Sequence, residues 1–175
     1  MITRRVLLAI TLPFLAIPGI SAAPADGASG ATQCTFEHDV VASPGLSTSP
    51  SSGTVTTNGE TGTFVCDGPV NGKQPTGSGT SGTDGRYGTK GADTCQSGGE
   101  GDVVMSMTIP TSSGPEHIKN TGTFDFGAFK AGAPFSATFQ GDRMSGTMEV
   151  QPIDGDCASK PVTRYHVKGK GTLNG

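Results

Sequence analysis

Residues 134–151 read PFSATFQGDRMSGTMEVQ, and this stretch decides the fold. Gly141-Asp142 is a hairpin dipeptide, because glycine takes the positive φ that a two-residue turn between antiparallel strands requires. A turn centred there sets Gln140 opposite Arg143, Phe139 opposite Met144, Ala137 opposite Gly146 and Phe135 opposite Met148. Side chains alternate across a strand. Phe135, Ala137 and Phe139 therefore share one face with Met144, Gly146, Met148 and Val150. Ser136, Thr138, Gln140, Arg143, Ser145, Thr147 and Glu149 share the other. A one-residue slip would mix the two sets.

The same period recurs on both sides. Residues 102–109 alternate, with Val103, Met105, Met107 and Ile109 on one face, and Pro110 ends that run because it cannot donate to a ladder. Residues 111–120 then read as a loop, and 122–126 as a strand with Phe124 and Phe126 inward. Residues 162–173 close the chain, with Tyr165, Val167 and Leu173 on one face and Arg164, His166, Lys168 and Lys170 on the other. Towards the N-terminus, residues 34–41 form a first strand anchored by Phe36, and residues 43–53 a loop. Asn58-Gly59 turns a second hairpin that sets Thr57 opposite Glu60 and Thr54 opposite Thr63. Residues 67–85 read as a long loop with a turn at Asp84-Gly85. About eight antiparallel strands with short turns predict an all-β fold, a single antiparallel β-barrel, with a β-sandwich as the alternative.

The chain has 175 residues. Residues 1–25 read as a secretory signal peptide: Arg4 and Arg5, then an apolar run through Leu7, Leu8, Ile10, Leu12, Phe14, Leu15 and Ile17, then Ala23-Pro24-Ala25. The paired arginines also fit twin-arginine export. Residues 26–33 follow as a flexible tail, and residues 34–175 make one β-rich domain. Removing the leader leaves 10 of the 12 basic residues against all 15 acids. That negative balance excludes a nucleic-acid partner, which requires a basic field. No later apolar run reaches membrane-spanning length.

Cys34, Cys66, Cys95 and Cys157 all fall after the leader, and an even count in an exported chain reads as two disulfides. Three connectivities exist. Placement on early strands against placement in later glycine-rich loops favours Cys34–Cys66 with Cys95–Cys157. No pair has zinc-ligand spacing.

Catalytic motifs are missing from the sequence. Residues 77–82 match G-x-G-x-x-G but lack the flanking strand and helix that would aim backbone amides at a phosphate. Asp154-Gly155-Asp156 lacks the further oxygens of a calcium loop and reads as a turn. His38, His117 and His166 read as isolated, and the basic row on the closing strand as a solvated face. No cofactor or metal is expected, nor any catalytic residue. The four mature methionines all fall inward. With the small pairing of Ala137 and Gly146, they suggest an apolar ligand site formed by Met105, Met107, Phe126, Phe135, Phe139, Met144 and Met148.

Two segments, residues 84–89 (DGRYGT) and residues 155–173 with GDC, PVT and VKGKGTL, resemble small exported β-domain proteins of actinobacteria, a group without an assigned function. The resemblance implies export and a β fold, and brings no catalytic residues. The sequence thus leads to a secreted, non-enzymatic barrel for a small apolar or amphipathic molecule. The alternatives are an extracellular interaction protein with a filled core and, behind it, a barrel-type isomerase or hydrolase. Oligomeric state is not encoded in these patterns. N-terminal sequencing of the exported protein is expected to begin at Asp26; a start at Met1 would sink the leader assignment.

Overall fold

The computed structural model describes residues 31–58, 61–130 and 132–174. The expected leader, residues 26–30 of the expected tail, and Gly59 and Glu60 of the expected second hairpin lie outside these. Among the described residues the regular elements are nine strands: β1 (Thr32–Leu46), β2 (Gly53–Thr56), β3 (Gly62–Asp67), β4 (Gly79–Tyr87), β5 (Gly99–Thr111), β6 (Gly114–Phe126), β7 (Phe135–Gly141), β8 (Met144–Pro152) and β9 (Val162–Leu173). They form one antiparallel sheet, and β1 pairs with β9, so the sheet closes into a ring. Thr32 and Gln33 belong to β1 and not to a tail.

Inside the ring lie the apolar faces that alternation implies. Val103, Met105, Met107 and Ile109 of β5 are buried, as are Tyr165, Val167 and Leu173 of β9. Large rings are accommodated by glycines. Phe36 lies opposite Gly169, Phe64 opposite Gly79, Phe124 opposite Gly101, Phe126 opposite Gly99, and Phe139 opposite Gly146. A Cβ on Gly169 would run into the Phe36 ring, and one on Gly101 into Phe124.

This pairing corrects the expected register of the β7–β8 hairpin. The two faces are as read, but the strands are displaced by two residues. Phe139 faces Gly146 and not Met144, Ala137 faces Met148, and Phe135 faces Val150. Phe139 takes the space over Gly171, which opposes Gly146 across β8 and β9. Asp142 and Arg143 carry the turn, and neither they nor Gly141 has a positive φ. The turn is held from β6 instead. Asn120 Oδ1 accepts the N–H groups of Arg143 (2.9 Å) and Met144 (2.8 Å), and Asp142 Oδ1 accepts that of Thr121 (2.8 Å). Gly141 is small because its Cβ would overlap the Asn120 side chain.

Other expectations fail for related reasons. The segments on either side of Asn58-Gly59, β2 and β3, do not pair with each other as a hairpin. β2 pairs with residues 41–43 of β1 and β3 with residues 33–37, so the two are collinear pieces of one strand position. Thr54 faces Ser43 and Arg86, while Thr63 faces Glu37 and Thr80. β1 is long enough to offer a ladder to both segments, and it runs through to Leu46 where a loop was expected. The Gly-rich stretch and Asp84-Gly85 lie in or run into β4; Gly85 carries no positive φ and sits where a Cβ would meet the Asp102 carbonyl. Pro110 does not end β5, and residues 114–120 are strand. Thr111 and Gly114 flank a two-residue turn, so Pro110 and Pro115 form the next pair, whose nitrogens face away from each other. The outward Pro110 carbonyl accepts Thr76 N–H at 2.9 Å.

Disulfides join Cys34 to Cys66 and Cys95 to Cys157. The first links directly opposed residues of β1 and β3. The second ties two loops at the other end of the ring. Each closes a loop long enough to contribute about 2–4 kcal/mol.

If rings on glycines set the packing, Gly169→Ala is expected to cost about 2 kcal/mol, within the range for overfilling a packed core. In a Phe36→Leu background the same change should cost much less. Urea unfolding of the double-mutant cycle measures the difference, and equal costs in both backgrounds would refute the pairing as its cause.

Candidate functional site

Alternation along β1 sends Phe36, His38, Val40 and Ala42 inward. On β4 the same period sends Ser81, Thr83 and Tyr87 inward. The strand position between β1 and β4 is filled by β2 and β3, and it is interrupted between Thr56 and Gly62. Across that interruption His38 reaches β4 directly. Its Nδ1 lies 3.1 Å from Ser81 Oγ and its Nε2 3.1 Å from Thr83 Oγ1. Ser81 also donates to the Thr63 carbonyl (3.3 Å), which can only accept. Hence His38 Nδ1–H donates to Ser81, and Thr83 donates to Nε2. The imidazole stacks on Phe36 with ring centres 5.4 Å apart.

His38 is 6 % exposed. Burial pulls its pKa from 6.5 down to about 4; the nearby Asp39 opposes this and His166 adds to it. The ring is therefore neutral near pH 7. Burial likewise raises the phenols of Tyr87 and Tyr165. Tyr87 donates to the Pro44 carbonyl, and Tyr165 to that of Val162 at 3.0 Å.

Next to this network, on the inner side of the ring, lies a partly open apolar cavity of about 100 Å³. Its wall is almost wholly carbon, broken only by His38, Thr83, Tyr87 and Tyr165. Of the residues read as a ligand site, Met105, Phe126, Phe135, Phe139 and Met148 line it. Met107 and Met144 do not, which corrects the expected set. Met107 faces Ser81 and Ile118, and Met144 faces Leu173, at the end of the ring that Cys34–Cys66, Ile109 and Val70 fill. The cavity lies towards the other end. There Phe129 stacks on Phe135 with centres 4.3 Å apart and meets Tyr165 edge-on, while its N–H donates to the Cys95 carbonyl at 2.8 Å.

Sequence reasoning missed His38, Thr83 and Tyr87. Phe36, His38, Val40 and Ala42 alternate on one face, so His38 was detectable as a polar residue in an apolar row. Thr83 and Tyr87 were hidden by the glycines that made β4 read as a loop.

The other histidines are not isolated either. His166, on the outer face, has Nδ1 2.6 Å from Asp39 and Nε2 3.0 Å from Glu37. Arg164 lies 3.7 Å from Asp39 and Lys168 3.4 Å from Glu37. Acids of β1 thus neutralise much of the basic row of β9. His117 lies 3.0 Å from Thr108 on an exposed surface. A wider groove of about 850 Å³ on the outer face is lined mostly by hydroxyl and charged side chains such as Thr35, Thr138, Thr147 and Lys170. Asp154 and Asp156 hold their own loop together: Asp154 accepts from Thr163 and Arg164, and Asp156 from Ser159 and Lys160. Among the described residues no group of three or more His, Cys, Asp or Glu is placed to hold a metal ion. β4 follows residues 77–78 with no helix, so G-x-G-x-x-G lacks its phosphate-binding context.

The chain matches no protein-family model, no curated protein and no solved structure.

The neutral His38 makes stability depend on pH with a definite sign. The unfolded chain takes up a proton below about pH 6.5, and the folded one only near pH 4. Stability is therefore full above that window and is lost as pH falls through it, by roughly 3 kcal/mol. Urea unfolding at pH 7 and pH 4 is expected to show that loss in wild type and to show it reduced by that amount in His38→Leu. The same pH dependence in both proteins would overturn the assignment.

Proposed function

We propose that the protein is a secreted, non-enzymatic β-barrel that carries one small molecule in its interior. In this reading β2 and β3 count as one position, so the closed ring is an eight-position barrel, a size whose interior side chains fill or which holds one small ligand. The observation that carries the reading is the cavity, an apolar space within a sheet that pairs all the way round. Two disulfides are compatible with an extracellular location. No helix among the described residues is long and apolar enough to cross a membrane.

The cavity favours a carrier over an interaction protein with a filled core. Its buried histidine gives little support to an enzyme. Ser81 donates to Thr63 and accepts from His38, the reverse of a nucleophile presenting its proton to a base. Ser81 is 1 % exposed and does not line the cavity, and no carboxylate lines it either.

Native mass spectrometry of protein taken from its own secretion medium is expected to show a small adduct lost on unfolding. In a second arm, xenon should shift the NMR resonances of cavity residues in wild type. It should leave them unchanged in Ala137→Leu, which fills the space. No adduct and no xenon response would return the protein to the filled-core reading.

A further inference from the structure

Resting on the carrier reading, we infer that the cavity selects a neutral hydrocarbon of benzene size or smaller and rejects molecules that bring a hydrogen-bond acceptor. Size follows from volume. An apolar protein cavity of about 150 Å³ stays dry and takes up benzene or xenon, and this one is about 100 Å³. Selectivity follows from the donors in the wall, all of which are spent within the protein. His38 Nδ1–H goes to Ser81 and the Thr83 hydroxyl to His38 Nε2. The Tyr87 hydroxyl goes to Pro44 and that of Tyr165 to Val162. The remaining lining is aliphatic, aromatic or thioether, from side chains such as Val40, Leu46, Val103 and Val150.

An entering carbonyl, carboxylate or ring nitrogen would leave its water partners and find no replacement, a penalty that apolar packing does not recover. A hydrocarbon leaves nothing unpaired. A carboxylate would also add a charge to a wall without a cation, since no Lys or Arg lines the cavity. The amphipathic class of ligand, such as a fatty acid, is thereby set aside in favour of the purely apolar one.

The test uses the disulfide-bonded wild-type protein at pH 8, with benzene and pyridine as probes. They have the same ring, but pyridine adds one acceptor nitrogen and no donor. NMR titration read at His38, Ala137 and Val150 is expected to give saturable benzene binding at least tenfold tighter than pyridine binding. Pyridine binding within tenfold of benzene would overturn this inference and leave the carrier reading standing. If neither benzene nor xenon perturbs those residues, the carrier reading fails and the inference with it.

Discussion

A phenylalanine ring laid across a glycine of the next strand is the contact on which the rest of this structure depends. Phe36, Phe64, Phe124, Phe126 and Phe139 all lie opposite a glycine. A Cβ on Gly169 would meet the Phe36 ring, one on Gly101 that of Phe124 and one on Gly171 that of Phe139, so these rings need bare backbone beneath them. The arrangement turns a glycine-rich composition, which reads as disorder or loop, into a set of paired strands. It also fixes register more tightly than polarity does. Polarity rejects a slip of one residue, because every side chain changes face. It does not reject a slip of two, which only exchanges one inward neighbour for another. The space needed by a ring makes that second choice, placing Phe139 opposite Gly146 and over Gly171 where simple turn chemistry would have put it against Met144.

The interior site grows from an interruption in the sheet. Between β2 and β3 the ladder stops, and His38 spans the opening to Ser81 and Thr83. The hydrogen bonds that hold β1 to β4 there also consume the polar capacity of His38 and Thr83 in the cavity wall. Stabilising the sheet and making the cavity apolar are thus one arrangement of atoms. On the outer side of the same strand, Glu37 and Asp39 face His166, Lys168 and Arg164 across the seam where the ring closes. β1 therefore carries the two polar clusters on opposite faces, as its alternation dictates.

The all-β class, the inward faces of β5, β7, β8 and β9, and the presence of two disulfides were legible in the sequence because each depends on a local pattern or a simple count; the cysteine count left three pairings open, and placement along the chain only favoured the one that forms. What was not legible depends on partners far along the chain. Asn58-Gly59 carries a strong local turn signal, but β1 and β4 both offer ladders to the segments around it, and they win. Pro110 is a strand breaker only where its nitrogen faces a partner, and that depends on where the turn to β6 falls. Of the cavity lining, Met105, Phe126, Phe135, Phe139 and Met148 follow from period two. Met107 and Met144 share that period, but their depth along the ring axis excludes them, and depth is invisible without the strand register. The glycines that conceal β4 conceal Thr83 and Tyr87 with it.

The pairing of β1 with β9 also has a consequence for how the chain reaches this state. Thr32 lies opposite Leu173, so the first strand meets the last. A chain delivered N-terminus first holds β1 with one edge unsatisfied until nearly every residue has emerged. Contacts so distant in sequence cost loop-closure entropy before they return any stability, and such topologies fold slowly. The unpaired edge of β1 is also a template for another chain during that interval. The Cys34–Cys66 bridge lies on the opposite edge of β1, joining it to β3 at a separation of 32 residues. It can form long before the ring closes, giving the waiting strand one fixed neighbour while its other edge waits for β9.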